Sequence, residues 1–405
     1  MIRKVESNII KLYAYWFFHN LIFAYVIERL FWESRGITVQ QVVYTEIIYA
    51  TVIVLLEVPT GVLADKWSRK AMMILSGVFS FLELLILIFA SSFWHFAAAV
   101  FLAAIGKALS SGTSNAIIYD SLKLCGREKD FEKASGKNNF FDNLSSTLAA
   151  LIGSYVAFKR GYITTYWMSL ISMGVAFLIS LTLVEPRVKT STEENKDFSY
   201  MKEAYVFLKN QPSIKFVLAF GIISAACLTY MDEFWQLYFK EVNVSVAYFG
   251  IISAVCSLFS SFSGILAYRL KRRFSYKVIF MSILGVFSIA TIASSFITSW
   301  YGIIPLLSVF IVSGMVEPLV MGYLHHRTES HYRATVESFQ SLVERLVIIA
   351  VGLLFGFFST RFSLFWGFRF LGLLTAVYLI YFTAASDRYI EKRDKACELQ
   401  DIKEC

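Results

Sequence analysis

The groups able to do chemistry in this chain are ionisable residues stranded in apolar surroundings: Glu28, Glu83, Lys107, Asp142, Asp232, Glu233, Glu317, Glu344, Arg345 and Arg369. A charge at the centre of a bilayer costs roughly +2.5 to +3.5 kcal/mol even on the lenient insertion scale, so each needs a partner or a wet cavity. Such groups exchange protons, pair with one another or recognise a charged solute. Glu317 is the leading coupling candidate: it precedes Pro318, and a carboxylate in a low-dielectric cleft can exchange a proton near neutral pH. The competing reading is a static ion pair with Lys107 or Arg345. Asp232 and Glu233 are adjacent, so on a helix they project about 100° apart and one of them faces inward. They fit either an extracellular gate or simple interfacial exposure. Asp142 is either a second proton carrier or, the preferred reading, part of a cytoplasmic charge network.

No phosphate-binding loop, nucleophile elbow or zinc-protease helix occurs, so no enzyme, cofactor or ATP-driven step is expected. His325, His326, Arg327 and His331 read as a solvated loop between helices 10 and 11 rather than a metal site, for no Cys or carboxylate pattern accompanies them. The five cysteines have neither metal nor redox spacing.

The elements that position these groups follow from composition. The chain has 405 residues, 57% hydrophobic and 17% charged, where a soluble protein carries about a quarter charged. Its apolar runs approach the ~20 residues that cross ~30 Å of hydrocarbon as helix. Backbone amides find no water there, and the runs lack the alternation of barrel strands, so each is a helix. The reading is an all-α polytopic membrane protein with twelve spans, near 8–31, 42–63, 71–90, 94–121, 138–158, 163–184, 213–238, 246–268, 276–296, 300–323, 335–357 and 363–385. A polar interval splits it into a six-helix bundle at 1–184, a linker at 185–211 with an amphipathic segment around 198–208, a second six-helix bundle at 212–387 and a tail at 388–405. Net charge +8 lies mostly in the loops of one side, which places both termini in the cytoplasm of a cell membrane and argues against a nucleic-acid partner. Gly106, Gly112 and Gly153 read as close-packing positions between helices. The abundant Phe and Tyr read mainly as lipid-facing and interhelical, with a wall for lipophilic compounds as the alternative.

The halves look duplicated. Phe31-Trp32 and Phe234-Trp235 are offset by the same interval as Gly61-Val-Leu-Ala-Asp65-Lys-Trp-Ser-Arg69-Lys70 and Gly264-Ile-Leu-Ala-Tyr268-Arg-Leu-Lys-Arg-Arg273, and Glu28-Arg29 corresponds roughly to Asp232-Glu233. Two bundles related by an axis along the membrane normal bind substrate between them.

The turn from Gly61 to Lys70 resembles that of the major facilitator superfamily, whose loop between helices 2 and 3 reads G-x-L-A-D-[RK]-x-G-[RK]-[RK]. Gly61, Leu63, Ala64, Asp65, Lys66, Arg69 and Lys70 match; Ser68 replaces the glycine, which predicts a strained or altered turn. The resemblance implies a secondary transporter in two pseudo-symmetric bundles. It implies a conformational latch of Gly61, Asp65, Arg69 and Asp120, with Asp65 facing the start of helix 11 near 335–338 and Arg69 pairing with Asp120. It also implies that Lys107, Asp232, Glu233, Glu317 and Arg345 face the central cavity, whereas Glu83 and Arg369, on outer helices, form structural pairs. Glu57-Val-Pro-Thr-Gly61 and Ser111 to Leu122 look like drug exporters, though the Gly- and Pro-containing antiporter motif of helix 5 is missing. The expected function is monomeric, proton-coupled export of small amphipathic compounds. Uptake or exchange of a polar solute is the alternative, with a lipid flippase or a non-transporting receptor as a different class.

Overall fold

The computed structural model describes residues 2–66, 68–111, 113–186, 211–328 and 330–390; within these, the side chains of 2–4, 57–58, 61–62, 64–66, 330–335 and 338 are not described. The proposed amphipathic segment at 198–208 and the tail at 391–405 lie outside these residues. The described residues are helical with short connections and hold no strand. Among the described residues, eleven helices are long and apolar enough to cross a membrane. The remaining long helix, the fifth span, carries Lys133, Lys137 and Asp142 and is too polar to join them.

Two compact units form. The first contains the described residues up to Pro186 together with Ser245–Ala254. Its helices are α1 (Ile2–Asn20), α2 (Glu28–Ser34), α3 (Val39–Lys66), α4 (Arg69–Phe89), α5 (Phe93–Ser110), α6 (Thr113–Leu124), α7 (Phe131–Arg160) and α8 (Tyr162–Leu181). Here α4 packs on α5 and α8, α3 on α5, and α1 on α6, α7 and α8. Gly161, at φ +82, turns α7 into α8 with a single residue. Ser245–Ala254 join this unit because Gly250 lies directly on the Ala150 carbonyl and Ser154 Oγ donates to Ala247 O at 3.1 Å.

The second unit contains Gln211–Val244 and Val255–Ile390. Its helices are α9 (Pro212–Glu241), most of α10 (Phe249–Lys271), α11 (Tyr276–Phe296), α12 (Ile303–Ser313), α13 (Val316–Arg327), α14 (Ser330–Arg361) and α15 (Leu364–Tyr389). Aromatic rings fill its core: Phe220 stacks on Phe280 at 4.2 Å and Phe216 on Phe382 at 4.7 Å. Other rings, such as Phe262 and Phe296, are exposed. Many of the abundant aromatics thus serve interhelical packing.

Three spans expected to be continuous are broken, and each break has an identifiable cause. The first span stops at Asn20 and resumes with the 3₁₀ turn Tyr25–Ile27. Gly153 of α7 presses on the Phe23 backbone there, and Ser169 and Ser172 of α8 take up Ala24 N and Phe18 O at 3.1 and 2.8 Å. The fourth span breaks after Ser110. The hydroxyls of Ser110 and Thr113 satisfy the carbonyls of Lys107 and Leu109 at 3.1 and 2.9 Å. The tenth span breaks at Gly314, four residues before Pro318, which lacks an N–H and crowds the Gly314 carbonyl. Lipid tolerates such irregular backbone only where side chains or protein resatisfy it, as they do at the first two breaks.

Candidate functional site

The turn between α3 and α4 is a tie of three helices. Ser68, with φ −166 and ψ 124, is the N-cap of α4, and its Oγ accepts from Ala71 N at 3.1 Å. The same hydroxyl donates to Glu185 at 2.5 Å. Glu185, just beyond α8, also accepts the backbone N–H groups of Arg69 and Lys70 at 3.1 and 2.8 Å. A carboxylate here satisfies orphan donors and complements the positive end of the helix dipole. The expectation of a strained turn at Ser68 is therefore corrected: extended backbone needs no glycine, and serine supplies the cap. Replacing Ser68 with Ala should lower stability by about 1 kcal/mol and with Gly by only a few tenths, measured by thermal unfolding of purified protein.

Arg69 then reaches sideways. Its guanidinium forms an ion pair with Asp120 of α6 and donates to Ala116 O at 3.4 Å. Both side chains of the pair are largely buried, at 16% and 13% exposure. Gly61 and Asp65 lie in the last turns of α3, and their side chains fall outside the described residues, as does that of Thr335 at the start of α14. The observed tie joins α4, α6 and the end of α8. Glu185 escaped the sequence reading because it looked like the first residue of a polar linker.

A second constellation forms where the first span breaks. Asn20, the last residue of α1, donates from Nδ2 to Asp142 Oδ1 of α7. Lys107, on the last turn of α5 before its own break, interacts electrostatically with Asp142 and with His19. His19 sits against Tyr15 and Trp16, with ring centroids 5.3 and 5.1 Å away. Trp16 Nε1 donates to Ser114 Oγ of α6 at 2.6 Å. Asp142 thus lies at the break in the first span, bonded to Asn20 and within electrostatic reach of Lys107. His19, Asn20 and Trp16 were missed; a His-Asn pair in the middle of an apolar run was the available signal.

At the far end of the first span, Glu28 and Arg29 open α2. Arg29 lies 3.6 Å from Glu28 and 3.1 Å from Glu46 of α3, over the Trp32 ring at 4.6 Å. Glu83 of α4 interacts electrostatically with Glu28, and no ion pair holds it among the described residues. The structural pair expected for Glu83 is therefore not formed.

In the second unit, Glu317 is exposed in the first turn of α13, where a carboxylate complements the helix dipole. It interacts electrostatically with Glu344 of α14, whose other neighbours are Gln340 and Arg345. No ion pair joins Glu317 to Arg345 among the described residues, which corrects the static-pair alternative for that partner. Asp232 is exposed on α9 beside Cys256, and Glu233 is half-buried on the adjoining face. Arg369 donates to Ser295 Oγ and O at 3.3 Å each and stacks over Phe296 and Trp366. It is a structural residue held by serine and rings rather than by an acid. His325 and His326 close the last turn of α13 rather than a loop; His325 contacts Glu337 at 2.6 Å, and Arg327 stacks over Tyr323. The helix runs on because nothing in Gly322 to Arg327 stops it before Thr328.

Each of the three breaks carries ionisable or amide side chains: Asn20 at the first, Lys107 at the second and Glu317 at the third. Broken spans with polar groups at their ends define a class, the helical secondary transporter. The comparisons agree. The Major Facilitator Superfamily profile matches residues 12–352, and the chain belongs to that superfamily. It is 21% identical over 318 residues to the "Uncharacterized MFS-type transporter YxaM" of Bacillus subtilis (strain 168), covering 76% of this chain and 78% of that protein. Among solved structures, the nucleoside transporter NupG superposes with a TM-score of 0.74 at 13% identity, covering 95% of this chain and 99% of the other. A D-xylose–proton symporter superposes at 0.65 and 13% identity, over 94% and 97%. At these identities the structural likeness establishes the fold alone, all-α and of the major facilitator type.

Proposed function

We propose that this transporter exports small amphipathic compounds in exchange for protons, by alternating access, as a monomer with both termini in the cytoplasm and without a cofactor. The observation that carries the reading is the constellation of Asn20, Lys107 and Asp142 at two broken spans, beside the rings of Tyr15, Trp16 and His19. It offers one ammonium, one carboxylate and an aromatic face, a surface for a molecule with both polar and apolar parts. The outward direction is supported by the exporter-like segments Glu57 to Gly61 and Ser111 to Leu122. Glu317 is the proposed coupling carboxylate, supported by its exposure at the third break. The proposed bundles are 1–184 and 212–387.

A second reading, uptake or exchange of a polar solute, is favoured by the charge and amide groups of the same constellation and by the nucleoside- and xylose-transporting structures that share the fold. Inverted membrane vesicles with an imposed pH gradient separate the two. With ethidium as amphipathic probe, an exporter dissipates the gradient as the dye accumulates. With uridine or xylose as polar probe, the second reading predicts flux and the first does not. Glu317→Gln should abolish uphill accumulation while leaving exchange; unchanged uphill transport would remove Glu317 as the carrier. Binding without flux in proteoliposomes would identify a receptor.

A further inference from the structure

Within the second unit, α11 and α15 form an antiparallel pair joined at four points. Arg369 bonds to Ser295, Gly372 packs against Ile292, Ser288 Oγ donates to Thr375 Oγ1 at 3.1 Å, and Lys277 pairs with Asp387. Beside this seam run two exposed apolar stripes. On α15, Leu373, Val377 and Ile380 continue the face of Trp366 at helical spacing; on α11, Ile289 lies two turns from Phe296. Arg369 stands at the head of the α15 stripe, ~17 Å of helix from Ile380. That is about the depth of one leaflet of a ~30 Å hydrocarbon core.

A second observation concerns charge. The half-buried Arg369 guanidinium lies over the rings of Phe296 and Trp366, at 4.1 and 4.8 Å, and its Nε and Nη2 donate to Ser295. Its Nη1 bonds to nothing among the described residues. The sequence holds no acid from 242 to 316 or from 345 to 386, which leaves α11, α12 and all of α15 before Asp387 without one. Two other helices pack on α15. In α14 the nearest acid to the Arg361 end is Glu344, about 25 Å back along the helix. In α9, Asp232, Glu233 and Glu241 form no ion pair with Arg369 among the described residues. A cation in an apolar span is costly unless an anion meets it, and here the protein supplies none. The exposed rings of Trp300 and Tyr301, just past α11, suit the level of lipid headgroups, where such rings collect.

We propose that Arg369 binds the phosphate of an anionic phospholipid whose acyl chain lies along Leu373, Val377 and Ile380. The two rings and Ser295 hold the planar guanidinium in place, so its remaining N–H groups meet the phosphate oxygens with little ordering cost. A free phosphate would use the guanidinium and leave the apolar stripe bare. A second copy of the chain fits poorly: a two-fold contact on this face sets one Arg369 against the other, with no acid between them. The site shares no residue with the Asp142 constellation and stands whatever solute is carried.

Native mass spectrometry of the full-length protein in detergent, titrated with phosphatidylglycerol or phosphatidylcholine, counts the lipid that stays bound. One phosphatidylglycerol should be held tightly, and its affinity should fall about tenfold in Arg369→Gln, the loss of a charge-assisted contact. Phosphatidylcholine should bind more weakly, because its own cation competes with the guanidinium. Arg361→Gln, which removes an exposed guanidinium at the end of α14, should leave the affinity unchanged. Val377→Asn keeps Arg369 and interrupts the stripe; it should weaken phosphatidylglycerol severalfold, and it tests the site even where Arg369→Gln does not fold. Equal affinity in wild type and Arg369→Gln, or an equal loss in Arg361→Gln, would overturn the proposal. So would unchanged binding in Val377→Asn, equal binding of the two lipids, displacement by glycerol 3-phosphate, or a dimer that holds no lipid.

Discussion

Removing Arg69 should cost the protein about 3 kcal/mol, because it leaves Asp120 charged, largely buried and without its guanidinium. The tie is local and its parts are separable. Arg69→Ala abolishes the ion pair and the bond to Ala116 O but keeps the N–H groups that Glu185 holds. Asp120→Ala should cost less than Arg69→Ala, since the freed guanidinium can still donate to Ala116 O. Arg69→Lys should fall between, for a lysine keeps the charge and loses the planar fork. The exchange Arg69→Asp with Asp120→Arg should recover part of the loss, as an interacting pair requires. Thermal unfolding of the purified protein reads all of these. An unchanged Tm in Arg69→Ala would mean that the pair contributes nothing to the fold and that the turn is held by Ser68 and Glu185 alone.

Two glycines on one helix should respond to the same substitution in opposite directions. A Cβ at Gly153 would strike the Phe23 carbonyl oxygen and lie 3.0 Å from its carbonyl carbon and 3.1 Å from Phe23 Cα. Backbone cannot yield as a side-chain tip does, so Gly153→Ala either drives α7 away from the first span or collapses the break at 21–24. Overpacking of this kind costs about 1–3 kcal/mol. It should also separate Asn20 from Asp142 and weaken solute binding. At Gly136, on the same α7, nothing lies within 4 Å of an added Cβ, and the position is exposed. There Gly136→Ala should stabilise by up to about 1 kcal/mol through helix propensity alone. Equal effects at the two sites would remove the close approach of α7 as the cause of the break.

The helical architecture was legible in the sequence because each span is a long apolar run, and helix is the backbone's one way of satisfying itself in such a run. The contact of Arg69 with Asp120 was legible only through the resemblance to the major facilitator superfamily. The breaks were not. Hydropathy averages over some twenty residues, and a break of two to four residues scarcely moves the mean. At the first break the residues responsible act at a distance: Gly153 deforms the span from α7, and Ser169 and Ser172 repair it from α8. Pro318 was visible, yet its effect falls four residues upstream at Gly314. Asn20 and Asp142 are 122 positions apart and meet only because the first span unwinds. Serine at position 68 was misread as a defect because the pattern supplied glycine, whereas the physics of helix starts favours a hydroxyl.

Asp142, Asn20 and Lys107 at the broken spans are the proposed solute site of the first unit, and the transport reading rests on them. Ligand-induced thermal stabilisation of purified protein tests it most directly, with a panel holding ethidium, uridine and xylose. A probe that raises Tm in wild type should lose its effect in Asp142→Asn and in Lys107→Ala, while Gly136→Ala keeps the full shift. If the probe stabilises Asp142→Asn and Lys107→Ala as strongly as wild type, the solute is bound elsewhere and this assignment of the site is wrong.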